Sequence, residues 1–423
     1  SKVSTFIFDN FADKYTHCWI DRLSQKVYEI IEKLKKVEAG KTIFIGGAGL
    51  CDIALLFPNC TIKGYSEYGF FEELSGDKEM WALGQIRLFA AGIKSEIKPF
   101  HEDTKNSQYM SDVDIAIFDT ADRYSYPFSN GSEHLFQYMK PNSKFLLFLD
   151  KQNAAGNSMA GLTKMLVEKK CIYSIVSFEE PNAIFGTNTT KTTICVCANK
   201  AVSNVVCIKN DATGDLIQLS ANMLDPTILW PSYYLTAKSK EGIALSEIVS
   251  FQDLKPKNME DIVFKKTTFN DEKECIEWIL SDKEKNILVV APTNLSTRYE
   301  DAKLCKENLH PAGDPLFEKQ LGLLSNIMQP CVLLFGRKDK LVAGYIKDLP
   351  SEGIVAYRQF ACLVPKEGID VRYVAALLLT PEVRNQIISI CEGEVDAQLF
   401  PLIMDKIIVP NHTDLERATF LSE

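Results

Sequence analysis

A mainly parallel α/β sheet followed by a second, α+β unit is the fold class that this sequence predicts. Three observations point there. Over the first 200 residues strand-like runs alternate with helical ones, the pattern of parallel strands joined by crossover helices. The runs 113–118 and 144–149 are almost wholly apolar, as strands buried on both faces must be. Beyond residue 242 the texture changes to short strands between Lys, Asp and Asn loops, and helices return only near the end.

In chain order, residues 17–38 predict an amphipathic helix. Ile20, Leu23, Val27, Ile30, Ile31 and Leu34 recur at helical spacing, with Glu32, Lys33, Lys35 and Lys36 off that stripe. Ala39-Gly40 ends it. Residues 41–45 form a β-branched and aromatic strand that breaks on Gly46-Gly47-Ala48-Gly49, and 50–56 resume as a short helix. A second strand, 61–65, ends at Glu67. Strand, glycine turn, helix, strand and acid open a Rossmann-like nucleotide-binding sheet. The glycines let backbone approach a ligand, and the acid accepts hydrogen bonds from ribose hydroxyls. A glycine turn taken alone is also an ordinary loop.

A helix over 77–92 follows, with Trp81, Ile86, Leu88 and Phe89 as its apolar bulk and Gly92 as its stop. A third strand, 97–100, runs into His101-Glu102-Asp103. The fourth, 113–118, emerges at Asp119-Thr120-Ala121-Asp122-Arg123-Tyr124. A helix at 131–139, a strand at 144–149, a helix at 158–169 and strands at 171–178 and 192–198 complete the set, the last two as a closing hairpin. Valine-rich 202–208 and the turn at 211–215 predict a further hairpin before Pro226 and Trp230-Pro231 break the pattern. The expected division is therefore 1–200, a seam at 201–242, and a second domain at 243–423.

Composition narrows the function classes. The net charge is −9, and the half beyond residue 200 carries 24 basic against 32 acidic residues. Any nucleic-acid surface there has to be a local patch. No apolar run reaches membrane-spanning length and the first residues open no signal peptide, so a soluble, cytoplasmic protein without a membrane partner is expected. Twelve cysteines without a C-x2-C spacing and five scattered histidines predict no metal site. Cys195 and Cys197 alternate along a strand and share a face, where they read as small buried hydrophobes.

The order of these pieces over residues 15–200 resembles the adenine-N6 DNA methyltransferases of restriction–modification systems. The glycine loop Gly46, Gly47 and Gly49, then Glu67 and Asp103, take the places of that family's S-adenosylmethionine site. Asp119-Thr120-Ala121-Asp122 takes the place of its Asn/Asp/Ser-Pro-Pro-Tyr/Phe catalytic loop, with Tyr124 two residues on. Lys140-Pro141-Asn142-Ser143 stands at its "Leu-Lys-Pro-Gly-Gly" turn. Residues 243–410 resemble a target-recognition domain of type I specificity subunits, most clearly at Leu377–Val383 and Leu399–Pro410.

The resemblance implies a cofactor held by the loop and the acids. It also implies a flipped adenine whose amine donates to Asp119 and stacks on an aromatic. Implied partners are double-stranded DNA and restriction–modification subunits. Lys265, Lys266, Arg337, Lys338, Lys340 and Arg358, with Lys347, are the candidate DNA contacts. The chain departs from the family in two places. Both loop prolines are gone and Asp122 stands at the aromatic position. Ile43-Phe44 replaces the polar residue and Pro ahead of the glycines. Weak or lost cofactor binding and impaired methyl transfer are the expectation. The alternatives are a non-catalytic DNA-binding or assembly module and a methyltransferase acting on a small molecule.

Overall fold

The computed structural model describes residues 29–31, 40–46, 51–66, 75–99, 107–120, 136–150, 154, 160–181, 190–236, 242–254, 288–305, 307, 309–311, 323–337, 340–350, 354–391 and 395–421. The chain divides into two compact units, Ser1–Leu235 and Thr236–Glu423. The break falls inside the stretch read as a seam.

Among the described residues the first unit is built on one nine-stranded sheet. Its elements in order are β1 (Thr42–Gly46), α1 (Asp52–Leu55), β2 (Thr61–Ser66), α2 (Ser75–Ala90), β3 (Ser95–Pro99), α3 (Ser107–Met110), β4 (Ile115–Thr120), β5 (Lys144–Leu149), α4 (Ala160–Glu168), β6 (Ile172–Pro181), β7 (Thr190–Asn199), β8 (Val205–Asn210), β9 (Leu216–Ser220) and α5 (Pro231–Leu235). The strand order is β3-β2-β1-β4-β5-β7-β6-β8-β9. Strands β3 to β5 run parallel to their neighbours, and β7 lies antiparallel between β5 and β6. Such an order reverses direction between β1 and β4, the switch point of a doubly wound sheet. The unit has a Rossmann-like α/β fold, with a mixed, mainly parallel sheet.

Side-chain alternation divides the sheet's central strands between two cores. Ile43, Ile45, Ile62, Ile115, Ile117, Leu146 and Phe148 share one face with Ile31, Ile53 and Leu88. The other face carries an aromatic row, Phe44–Phe118–Phe145–Phe136, with ring centroids 5.4, 5.1 and 5.5 Å apart. Burial on both faces is why these strands read as unbroken apolar runs. Helix α2 ends as the glycine stop requires: Gly92 has φ +69, and the Ile93 amide donates to the Leu88 carbonyl at 3.0 Å. Its apolar bulk divides differently from the expectation. Leu88 is fully buried, but Phe89 is 88% exposed and Ile86 48%.

Two expected boundaries move. Strand β4 continues through Asp119 and Thr120, paired with Phe148 and Leu149, where the reading ended it at 118. The hairpin of the expected seam is β8–β9, and β8 pairs parallel with β6 as part of the first sheet. Helix 17–38 is described only at 29–31, and the predicted helix 131–139 only at 136–139, helical over Phe136–Tyr138 and ending at Met139; the rest of each lies outside the described residues.

Among the described residues the second unit holds three small sheets. Its elements are β10 (Ile243–Ala244), β11 (Val249–Gln252), β12 (Leu288–Val290), β13 (His310–Pro311), β14 (Leu324–Asn326), β15 (Cys331–Arg337), β16 (Lys340–Ile346), β17 (Ile354–Tyr357), β18 (Ala361–Pro365), α6 (Val371–Leu379), α7 (Pro381–Cys391), α8 (Phe400–Ile403), β19 (Ile408–Val409) and α9 (Asp414–Phe420). The sheets are β10-β19, β11-β18-β15-β16 and β13-β12-β17-β14. A shared core runs between the two four-stranded sheets, from Val289 and Val355 to Leu333 and Cys362. Helix α6 is buried at eight of its nine residues. Helix α7 starts on Pro381, with the Val383 amide 3.5 Å from the Thr380 hydroxyl. Buried Gln386 behaves like a strand segment, donating to the Ile408 carbonyl at 3.0 Å and accepting from its amide at 2.6 Å.

Candidate functional site

In a doubly wound sheet, ligands bind where the strands' carboxyl ends meet the switch point. Here that place lies between β1 and β4. Gly46, the last residue of β1, is level with Phe118 of β4 and Tyr65 of β2. Asp119 is one residue beyond that level on the adjacent strand, about 5 Å away laterally. A Cβ on Gly46 would lie 2.5 Å from the Phe118 ring, so only glycine lets β1 end against that aromatic. The need for glycine at this position is thus one of packing. Strand β2 stops at Ser66, just before Glu67, and β3 at Pro99, ahead of Asp103.

Of the residues read from the sequence as cofactor-binding or catalytic, Gly46 and the backbone of Asp119 are described. Gly47, Gly49, Glu67, Asp103, Asp122 and Tyr124 lie outside the described residues. Ile43 and Phe44, where the resembled family has a polar residue and Pro, are fully buried. Ile43 sits in the aliphatic core and Phe44 in the aromatic row. Neither offers a polar atom to a methionyl group, so the described residues fit the strand geometry of an S-adenosylmethionine site but not its polar capture.

The opposite end of the same strands is tied by charge. Asp114, just before β4, accepts from the Thr42 amide at 2.9 Å and from Lys140 Nζ at 2.9 Å, with Lys41 Nζ at 3.9 Å. Partial burial opposes ionisation of Asp114, but the Thr42 amide and Lys140 outweigh it and hold the carboxyl below its ordinary value. This gives Lys140, from the 140–143 turn, a structural task that sequence reading missed. A lone Asp at a strand start carries no local signal of its partners. Beside it, Lys63 pairs with Asp112 at 2.7 Å. The Tyr109 hydroxyl accepts from the Gly64 amide at 3.1 Å and bonds the Glu96 carbonyl, bridging β2 and β3.

In the second unit, β15 and β16 form a hairpin whose last pair is Arg337 and Lys340. Strand β18 runs antiparallel to β15, with Ala361 level with Leu334. The turn carrying exposed Arg358 therefore lies at the same end of the sheet. Arg337, Lys340 and Arg358 are so brought to one end, and Lys340 is exposed. Lys347 follows β16 at the other end, which separates it from them. Lys265, Lys266 and Lys338 lie outside the described residues. Tyr345 stacks on Tyr299 with centroids 6.0 Å apart. Tyr234 donates to the Ile228 carbonyl at 2.6 Å. Both are packing residues.

Among the described residues no group of three or more His, Cys, Asp or Glu is arranged to hold a metal ion. No described helix is long and apolar enough to cross a membrane. The Sγ atoms of Cys195 and Cys197 are 3.8 Å apart on one face of β7.

No protein-family model and no curated protein matches the sequence. Solved structures similar to the chain include the methyltransferase subunit of a type I restriction–modification system from Streptococcus thermophilus, at 14% identity over 44% of this chain and 47% of that one, TM-score 0.33. The type IIG restriction endonuclease BpuSI is similar at 12% identity over 94% of this chain and 59% of its own, TM-score 0.38. The M protein of the type I restriction enzyme EcoKI is similar at 12% identity over 43% and 47%, TM-score 0.30. The chain thus spans about half the length of the type I subunits it matches. At these values the likenesses carry nothing about chemistry, and the fold assignment stands on the strand order itself.

Proposed function

We propose that the chain is a DNA-binding protein of the restriction–modification type. In this reading it pairs an adenine-N6 DNA methyltransferase scaffold at 1–200 with a target-recognition domain at 243–423, and it transfers methyl groups slowly. The observation that carries the reading is the register at the switch point, where the glycine end of β1 and Asp119 of β4 are neighbours. Asp119 is the group that would accept from the adenine amine, while Gly46, Gly47, Gly49, Glu67 and Asp103 would surround S-adenosylmethionine. When bound, that cofactor supplies the methyl group. The chain's own part is to orient the amine and exclude water.

One observation favours the non-catalytic alternative. Thr120 stands where the resembled family has its first proline, yet it lies in the β4 ladder opposite Leu149. Proline at a ladder position would remove a donor and end the strand. The chain therefore keeps a strand where the family opens its catalytic loop.

Arg337, Lys338, Lys340 and Arg358, with Lys265 and Lys266, are the proposed DNA contacts, arginines suiting guanine edges and lysines phosphates. An acidic half with few phosphate contacts gives a shallow salt dependence. Selection of the full chain on a randomised duplex pool tests the reading. Enrichment of a defined motif is expected, and several rounds without one would remove the recognition-domain assignment.

A further inference from the structure

The outer edge of the first sheet is β9, and its chemistry is complementary to a second copy of itself. In the β8–β9 hairpin the Asn210 amide donates to the Asp215 carbonyl at 3.0 Å, and the Ala221 amide to the Asn204 carbonyl at 2.9 Å. With Lys209, Cys207 and Val205 opposite Leu216, Gln218 and Ser220, these two bonds fix the phase of the ladder. Ile217 and Leu219 exchange bonds with β8, while Leu216, Gln218 and Ser220 turn their N–H and C=O groups outward. Among the described residues no strand lies beyond β9. Its sequence, Leu-Ile-Gln-Leu-Ser, holds none of the charges or prolines that keep edge strands apart. Leu216 on β9 is 57% exposed and Val205 on neighbouring β8 52%.

We propose that two copies of the chain join through β9, antiparallel about a two-fold axis at Gln218, so that one sheet continues across the pair. In that register Gln218 faces its own copy, Leu216 faces Ser220, Ile217 faces Leu219 and Asp215 faces Ala221. No like charges meet. The three outward residues of each copy find partners within the strand, giving about six main-chain hydrogen bonds. Moving the axis to Ile217 or Leu219 leaves one outward residue of each copy beyond the strand's end, and moving it to Leu216 or Ser220 leaves two. Small Ser220 lets Leu216 lean across it towards Val205 of the second copy, so both exposed apolar side chains are covered by one operation. The contact is isologous and short, which puts it in the weak, concentration-dependent class.

Sedimentation velocity on the full chain over a range of concentrations tests this with Gln218→Lys, Gln218→Glu and their equal mixture. Gln218 is exposed, so neither substitution disturbs the core. The wild type is expected to pass from monomer to dimer as concentration rises. Each variant alone should stay monomeric, because like charges then face each other, and the mixture should recover the dimer. A wild type that is monomeric throughout overturns the proposal. So does a dimer undiminished by Gln218→Lys, or a mixture that fails to recover it. Amide exchange gives an independent reading: the N–H groups of Leu216, Gln218 and Ser220 should gain protection with concentration in the wild type, and unchanged exchange overturns the proposal equally.

Discussion

Asp114 and Asp119 belong to the two ends of one strand, β4, and the sheet treats those ends differently. At the amino end Asp114 is bonded to Thr42 and Lys140, so the charge closes the scaffold on itself. At the carboxyl end Gly46 and Asp119 come together at the switch point, where the chain leaves the sheet and where folds of this kind bind ligands. The same residue type thus stabilises at one end and, in the proposed reading, does chemistry at the other. Asp114 owes its task to a donor in register on the neighbouring strand, the Thr42 amide.

The largest expected effect comes from overfilling the rim. Gly46→Val sets a branched side chain against the Phe118 ring and should destabilise the first unit by about 3 kcal/mol. Urea denaturation of the full chain reads it, and an unchanged midpoint would show that Phe118 moves aside freely.

Asp114→Ala should come next, at about 2 kcal/mol, since it removes two charge-assisted bonds and leaves the Thr42 amide without its acceptor. The pH dependence sharpens this. The folded carboxyl titrates below the unfolded value of about 3.9. Its contribution is therefore fully present above that value and is lost as pH falls through the lowered folded one. Wild type and Asp114→Asn should differ in melting temperature at neutral pH and converge in acid. A gap that persists in acid would assign the effect to packing.

The smallest effect on stability should be that of Asp119→Ala, within about 0.5 kcal/mol, despite its place on the same strand. If it destabilises as much as Asp114→Ala, the two ends are not different in kind. In the loop beyond, Thr120→Pro, Ala121→Pro and Asp122→Tyr together should raise labelled-methyl incorporation by tenfold or more, since stacking on an aromatic is worth about 1–3 kcal/mol per base. Unchanged incorporation would show that this loop is not what slows transfer.

The central strands were legible because burial on both faces leaves an apolar run that no other element imitates. Helix α2 was legible from Gly92, whose left-handed backbone closes it. What escaped was pairing at long range. Val205–Asn210 carries nothing to say that it lies parallel to β6. The 140–143 turn does not show that its lysine reaches Asp114. Phe89 counts as core in a helical pattern, yet the sheet lies on the other side of α2 and leaves it exposed. At the basic end of the second unit, Arg337, Lys340 and Arg358 were legible as candidate DNA contacts, but that they share one end depends on the β15–β16 hairpin and on β18 running back along β15. Position along the sequence finds the candidates, whereas register decides which of them meet.

Calorimetric titration of the full chain with S-adenosylmethionine bears on the contrast between the two ends of β4 and on what the carboxyl end retains. Ile43 and Phe44 fill the place of a polar capture with buried apolar side chains, so weak heats are expected, with a dissociation constant of about 1 mM or weaker. Micromolar affinity would contradict this and would make the rim between Gly46 and Asp119 an intact cofactor site.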